Sequence, residues 1–580
     1  MREKRCWKIA GLIYALILMA VAVSVRTSFA QTRMKGQGSH FYPGEIIIKF
    51  TEQAFRSLAT KAERGIALTA VPSIDNLNRK YGVYAIEAFV NDGEQGYKAA
   101  EDPYGLARIF VLRVPKEADT DSIVEAFQKD SHIEFAELSG YAVMDDQVPR
   151  ENPGFDAAHE LNYRSPELNT NELNANAVNA DSKSKHRTGT DTASEDAPVA
   201  DAARKDAGWA DIACEDAVQA DAASEDAVQA DAMGSDCMPI PYPSPNSDTG
   251  FSAADNFFRP SDRYYLAGYP NNQWGLDRIN WSWPMVRAVT PAGSLAPQII
   301  AIVDTGIDYK HPDLRDKVLV DRGYDFVDMD ADPMDTNGHG TAVAGIAAAV
   351  TNNLIGIAGT APNSLLLPVR VLEGGPQESG PAQLMAGLLR VARGIRYAAD
   401  NGAQVINLSL SWTDPSLVVS SALNYAYRVR KCIIVAAAGN DNRSSVSMPA
   451  AHPACIAVGA IDRSDTRVDY DTAHGSNYGT GLEVVAPGDY MLTLNTVRNG
   501  LYTPAVVLYS LRDGTVAYNW GTSYAAPFVS GLASILSTQH PFAGNEAIRK
   551  HIADTCDSLG DATEYGVGLI NVTKALLNPL

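Results

Sequence analysis

Two rhythms of apolar and polar positions divide this chain. From about residue 255 onward, unbroken apolar runs alternate with longer helical patterns. The runs are QIIAIVD (298–304), SLLLPVRVL (364–372), AQVINLSL (403–410), CIIVAAAG (432–439), CIAVGAI (455–461) and LEVVAPG (482–488). Parallel strands covered on both faces need such continuous apolarity. The helical patterns are GTAVAGIAAAV (340–350), AQLMAGLLRVARGIRYAAD (382–400), SLVVSSALNYAYRVR (416–430) and SYAAPFVSGLASILSTQ (523–539). The alternation predicts an α/β domain over 255–580, a doubly wound, mostly parallel sheet with helices on both faces. Its site is expected at the carboxyl ends of the strands.

Residues 31–145 follow a shorter period. GEIIIKF, YGVYAIEAFV, ARIFVLRV and HIEFAELSGYAV read as strands, and EQAFRSLATKAERG and DTDSIVEAFQKD as helices. The order βαββαβ predicts a small ferredoxin-like α+β domain with two helices on one face. Over 146–254 the periodicity disappears. A ten-residue repeat occupies 194–233, with Asp-Ala and Ala-Asp two residues apart in each copy. Ten residues match no helical or heptad period. The stretch is too acidic and apolar-poor to offset its ordering entropy, so it reads as a disordered linker. Calcium binding by its aspartates is the alternative.

Composition sharpens this outline. The chain of 580 residues has 46% apolar and 20% charged positions, enough for several cores, and a net charge of −21. That balance argues against nucleic acid and anionic membranes as partners. Residues 191–236 hold thirteen acidic and two basic residues, about half of the imbalance. At the start, a basic stretch precedes an apolar run from Ile9 to Val25 and the small residues Ser28 and Ala30. This reads as a signal peptide, residues 1–30, and predicts export without a remaining membrane anchor. An uncleaved anchor is the alternative. Of the six cysteines, Cys432 and Cys455 begin neighbouring strand-like runs; a disulfide and two buried thiols both stay open.

Candidate chemistry sits at the predicted strand ends. Asp304 ends an apolar strand, where a carboxylate is held still and can orient an imidazole. His339 stands between Gly338 and Gly340 at the start of a helix of small residues. Asn440 follows another strand, where its amide can donate to a developing oxyanion. Ser523 is either an ordinary helix cap or a nucleophile. Its backbone N–H, at a helix start, can be the second oxyanion donor.

The segments DTGID, HGTAVAG, AAAGN and GTSYAAP, in that order, resemble the subtilisin-like serine proteases. HPDL, GIAGTAPNSLLLPVRVL, VINLSLS, IAVGAID, SNYG, VVAPG and GVGLINVTKAL extend the resemblance over roughly residues 265–580. It implies a serine endopeptidase acting on proteins or peptides. Ser523 is then the nucleophile, His339 the base and acid, Asp304 its orienting acid, and Asn440 an oxyanion donor. It also implies a substrate groove between Ser379-Gly380-Pro381 and Ser409-Leu410-Ser411, with Ala438-Gly439 on a pocket wall. A structural calcium would take Asp313 and Asn353. The N-terminal domain resembles a subtilase propeptide, IEFAEL included, which implies a chaperone and inhibitor of its own enzyme and a zymogen. The alternatives are an unrelated accessory domain and a catalytically unused binding protein.

The departures from the family pattern are Ala342, Trp412, Tyr524 and Phe528, none of them a catalytic group. Residues 489–518 are expected to form an extra hairpin near the site. The sequence argues against an α/β-hydrolase lipase, because GTSYA lacks the second glycine of the nucleophile elbow and no Asp lies between Ser523 and the last histidine, His551.

Overall fold

The structure, a computed structural model, describes residues 41–63, 65–90, 102–144, 273–289, 297–353, 355–374, 384–496, 507–510 and 514–580. The expected signal peptide and the whole repeat lie outside the described residues. Strands β1 (Phe41–Phe50), β2 (Lys61–Glu63), β3 (Ile66–Leu68), β4 (Ala85–Ala88), β5 (Ile109–Arg113) and β6 (Ile133–Met144) build the N-terminal domain. Its helices are α1 (Glu52–Arg56), α2 (Pro72–Tyr81) and α3 (Thr120–Gln128). The helix expected over 52–65 stops at Arg56; a small β2–β3 hairpin follows, and the second long helix is α2. Pro72 at its first turn and left-handed Gly82 at its end delimit α2.

The antiparallel order is β4-β5-β1-β6, and side chains alternate across the sheet. Ile46, Ile48, Phe110 and Leu112 pack with Ile74, Ile123 and Phe127 of the helices. Ile47, Ile109 and Val111 point the other way, into the core of the C-terminal domain.

That domain holds β7 (Ile299–Asp304), β8 (Tyr324–Asp325), β9 (Leu365–Arg370), β10 (Glu373–Gly374), β11 (Leu384–Gly387), β12 (Val405–Leu408), β13 (Ile433–Ala437), β14 (Cys455–Ile461) and β15 (Val484–Pro487). The main sheet runs β15-β14-β13-β12-β7-β9-β8, parallel at every pairing. Strands β7, β12, β13, β14 and β15 are buried at every residue. The long helices are α4 (His339–Ala348), α5 (Leu388–Asp400), α6 (Leu417–Asn424), α7 (Thr522–Gln539) and α8 (Asn545–Asp554). Helix α7 lies against β12 to β15 and α4, while α5 lies against β7, β9 and α6. The sequence order reverses across β7, which opens a crevice at the strands' carboxyl ends.

Two segments depart from expectation. The helix predicted over 382–400 starts only at Leu388, because Leu384–Gly387 instead form β11 and pair antiparallel with Tyr141–Met144 of β6. One strand thus joins both domains in a single six-stranded sheet. The expected hairpin is a three-stranded sheet of β16 (Met491–Asn495), β17 (Val507–Ser510) and β18 (Gly514–Asn519), in the order β16-β18-β17. Leu494 of β16 packs on Gly345 of α4. Cys432, Cys455 and Cys556 are free, buried thiols that burial pushes up to about 12. Among the described residues no helix is long and apolar enough to cross a membrane.

Candidate active site

Asp304 is the last residue of β7 and has no exposed surface. Its carbonyl accepts the N–H groups of Val371 (2.8 Å) and Leu372 (3.1 Å), so the strand end is bonded sideways. Its Oδ1 accepts from Thr305 N at 2.7 Å and lies 2.7 Å from His339 Nδ1. His339 opens α4, fully buried, and its N–H donates to Asn337 Oδ1 at 3.1 Å. The flanking glycines allow this approach. Gly338 has φ +114°, and a side chain there would overlap Asn495; one at Gly340 would overlap the Gly306 carbonyl.

Ser523 is not the cap of α7. Gly521 is, with φ +129°, and Ser523 is the second helical residue. Its Oγ donates to the Ser409 carbonyl at 3.3 Å. Pro527, four residues on, has no N–H to give the Ser523 carbonyl. Ser409 Oγ takes that place at 2.8 Å, itself accepting from Asn407 Nδ2 at 2.9 Å. Asn407 Oδ1 accepts in turn from Ser530 Oγ at 2.7 Å. Helix α7 is thereby fastened to β12 beside its nucleophile candidate. Tyr524, the next residue, sets its ring 5.6 Å from the His339 ring.

Asn440 follows β13. Its Oδ1 accepts from Thr522 N (2.9 Å) and Thr522 Oγ1 (2.8 Å), which leaves the amide N–H groups turned away from Thr522. Thr522 Oγ1 also accepts from Gly439 N at 3.1 Å. The sequence offered no reason to single out Thr522, since its partners are distant in the chain.

Ser409, Leu410 and Ser411 continue from β12, and Ala438 and Gly439 from β13. Ser447 closes in from below: its N–H donates to the Ala438 carbonyl (2.9 Å), and its Oγ accepts from Asn477 Nδ2 (3.0 Å). Trp412 pairs with Met448 through two 2.8 Å backbone bonds. Ser379, Gly380 and Pro381 lie outside the described residues. The strand observed to accept an added partner is β11, just downstream. Asp313 and Asn353 do meet: Asn353 Nδ2 donates to Asp313 Oδ1 at 2.8 Å, and Ile357 N to Asp313 Oδ2 at 2.9 Å.

A further contact was not foreseen. Glu137 of β6 accepts from Leu417 N (2.7 Å), Val418 N (3.0 Å) and Ser416 Oγ (3.0 Å), at the start of α6. Burial pushes its carboxyl up against the pull of these three donors. Beyond the far edge strand β4, Arg393 of α5 reaches the Phe89 carbonyl at 3.3 Å.

A profile of the subtilase family matches residues 297–568. The thermophilic serine proteinase of Bacillus sp. (strain AK1) is 42% identical over 330 residues, 56% of this chain and 70% of its own. Thermitase of Thermoactinomyces vulgaris is 39% identical over 322 residues, 55% of this chain and 99% of its own. Among solved structures, fervidolysin from Fervidobacterium pennivorans, a keratinolytic enzyme related to subtilisin, has a TM-score of 0.57 at 20% identity. That match covers 94% of this chain and 62% of the other, and is a likeness of fold.

Proposed function

The chain belongs to the subtilase family and is a serine endopeptidase of the subtilisin type; on that premise we propose that Ser523, His339, Asp304 and Asn440 carry its chemistry. The observation that carries this reading is the buried Asp304–His339 bond at the end of β7, beside the start of α7. Ser523 Oγ attacks the scissile carbonyl while His339 Nε2 takes its proton. Asp304 keeps the other proton on Nδ1 and stabilises the imidazolium that forms. The oxyanion is met by Asn440 Nδ2 and the Ser523 N–H. His339 then gives the proton to the leaving amine, and water, deprotonated by the same imidazole, frees the acyl group. Substrate lies as an added strand between β11 and Ser409-Leu410-Ser411, with the adjoining side chain toward Ala438-Gly439.

The enzyme is made as a zymogen, exported by the signal over residues 1–30. Two contacts support self-inhibition: β6 already occupies β11, and Glu137 caps α6. The first experiment expresses residues 31–580 as wild type and as Ser523→Ala and follows intact mass. The wild type shortens and the variant stays whole. If both stay whole across pH and with calcium, self-processing fails, and the fold serves as a binding module.

Calcium fits the Asp313–Asn353 pair by its donor chemistry, one buried carboxylate and one amide oxygen. To hold it, Asn353 would turn its oxygen, which accepts from Ile355 N at 2.8 Å, toward Asp313. The ion would fasten the loop as a structural staple. Chelation should lower the melting temperature of Ser523→Ala by several degrees, reversed by calcium and abolished in Asp313→Asn; an unchanged melting curve removes the site.

A further inference from the structure

Asp335 lies in the loop before α4, with no exposed surface, and the mechanism above gives it no task. Five donors converge on its carboxylate. Oδ1 accepts from Thr305 Oγ1 (3.0 Å), Asn337 N (2.8 Å) and Gly338 N (2.9 Å). Oδ2 accepts from Thr341 N (2.9 Å) and Thr341 Oγ1 (2.5 Å). The two hydroxyls pass the connection on: Thr305 Oγ1 accepts from Gly340 N at 2.8 Å, and Thr341 Oγ1 from Asp308 N at 2.9 Å. Every one of these groups belongs to the turn that follows Asp304 or to the helix start that carries His339. Burying a carboxylate is costly, and burial pushes this one up from the usual range. The five bonds offset that cost, and they do so at the seam between two catalytic segments.

We propose that Asp335 is a positioning residue for the reaction: its carboxylate clamps the turn of Asp304 to the helix start of His339, and so sets their 2.7 Å contact. The inference rests on the Asp304–His339–Ser523 reading. An asparagine at 335 cannot replace the clamp. Either orientation of its amide turns N–H groups toward donors, at Thr305, Asn337 and Gly338 or at Thr341. The groups that touch the His339 ring are Asp304 from β7 and Tyr524 from α7, while Asp335 bonds the backbone on either side of His339.

The test uses the full chain after self-processing, as wild type, Asp335→Asn, Thr305→Val and Thr305→Ser. Active sites are titrated with phenylmethylsulfonyl fluoride, and kcat, KM and the pH profile of kcat/KM are measured per titrated site. Asp335→Asn should lower kcat about 10²-fold with KM within about twofold, the order expected for a small misplacement of reacting groups. Its acid limb should move to lower pH, because a loosened Asp304–His339 contact stabilises the imidazolium less. Thr305→Val should lower kcat about tenfold, and Thr305→Ser, which keeps the hydroxyl, should restore it. If kcat per site and the acid limb stay at wild-type values while only the melting temperature or the titratable fraction falls, Asp335 is structural and the inference is overturned. If Asp335→Asn gives no titratable protein, the Thr305 pair decides: equal kcat in valine and serine overturns it. A wild type that fails to titrate, or a Ser523→Ala that still cleaves, overturns the catalytic reading instead.

Discussion

The two sides of the cleft are fastened by different physics. On the side of His339, close packing joins the Asp335 clamp: Gly340 leaves no room for a side chain against the Gly306 carbonyl, and Gly338 none against the Asn495 side chain. On the side of Ser523 and Asn440, hydroxyls do the fastening, through Thr522, Ser409 and Ser530. Shape cannot be partly satisfied in a close-packed interior, whereas a hydroxyl can be removed one bond at a time. A filled glycine on the first side should therefore fail as a fold, and a lost hydroxyl on the second as a catalyst.

The sharpest way to break this contrast is Gly340→Ala. An added methyl cannot be accommodated without moving backbone, so activity should vanish together with the folded state. In the Ser523→Ala background its cost should be about 3 kcal/mol or more, read by thermal unfolding. A variant that folds at the wild-type temperature would refute the shape argument. Asn440→Ala comes next. It removes the proposed oxyanion donor and should lower kcat about 10²–10³-fold with KM barely changed, while the melting temperature falls modestly because Thr522 N loses its acceptor. If instead its stability falls as far as that of Gly340→Ala, the two sides do not differ in kind. Thr522→Val is the gentlest probe. Losing one hydroxyl that aims Asn440 should lower kcat about tenfold, with the protein still fully titratable by a serine reagent. An unchanged kcat would mean that the Thr522 backbone N–H alone orients the amide.

The same contrast governs what could be read from the sequence. Asp304, His339, Asn440 and Ser523 stand out as candidates because each lies at the junction of a strand or helix with a turn. Apolar runs and glycines mark such junctions locally. Thr522 was not singled out, because its task depends on Asn440, eighty-two positions earlier. Strand β11 was taken into a helix because its residues continue the apolar pattern of α5. Only the distant β6 makes it a strand. Glu137 lay within a segment singled out for its tail signature, yet nothing nearby announced that it would cap α6. Helix α2 was missed for a different reason. Its amphipathic stretch is short and polar, so only Pro72 at its start and Gly82 at its end mark it.

Pro527 has a dynamic consequence. Helix ends fray, opening and closing their first bonds far faster than the helix unfolds. In α7 the carbonyl of Ser523 is bonded to a strand side chain instead of to the next turn. Opening of the first turn of α7 therefore need not carry Ser523 along. Its backbone keeps time with the central sheet, the slowest-opening part of the molecule, and not with the end of the helix on which it stands.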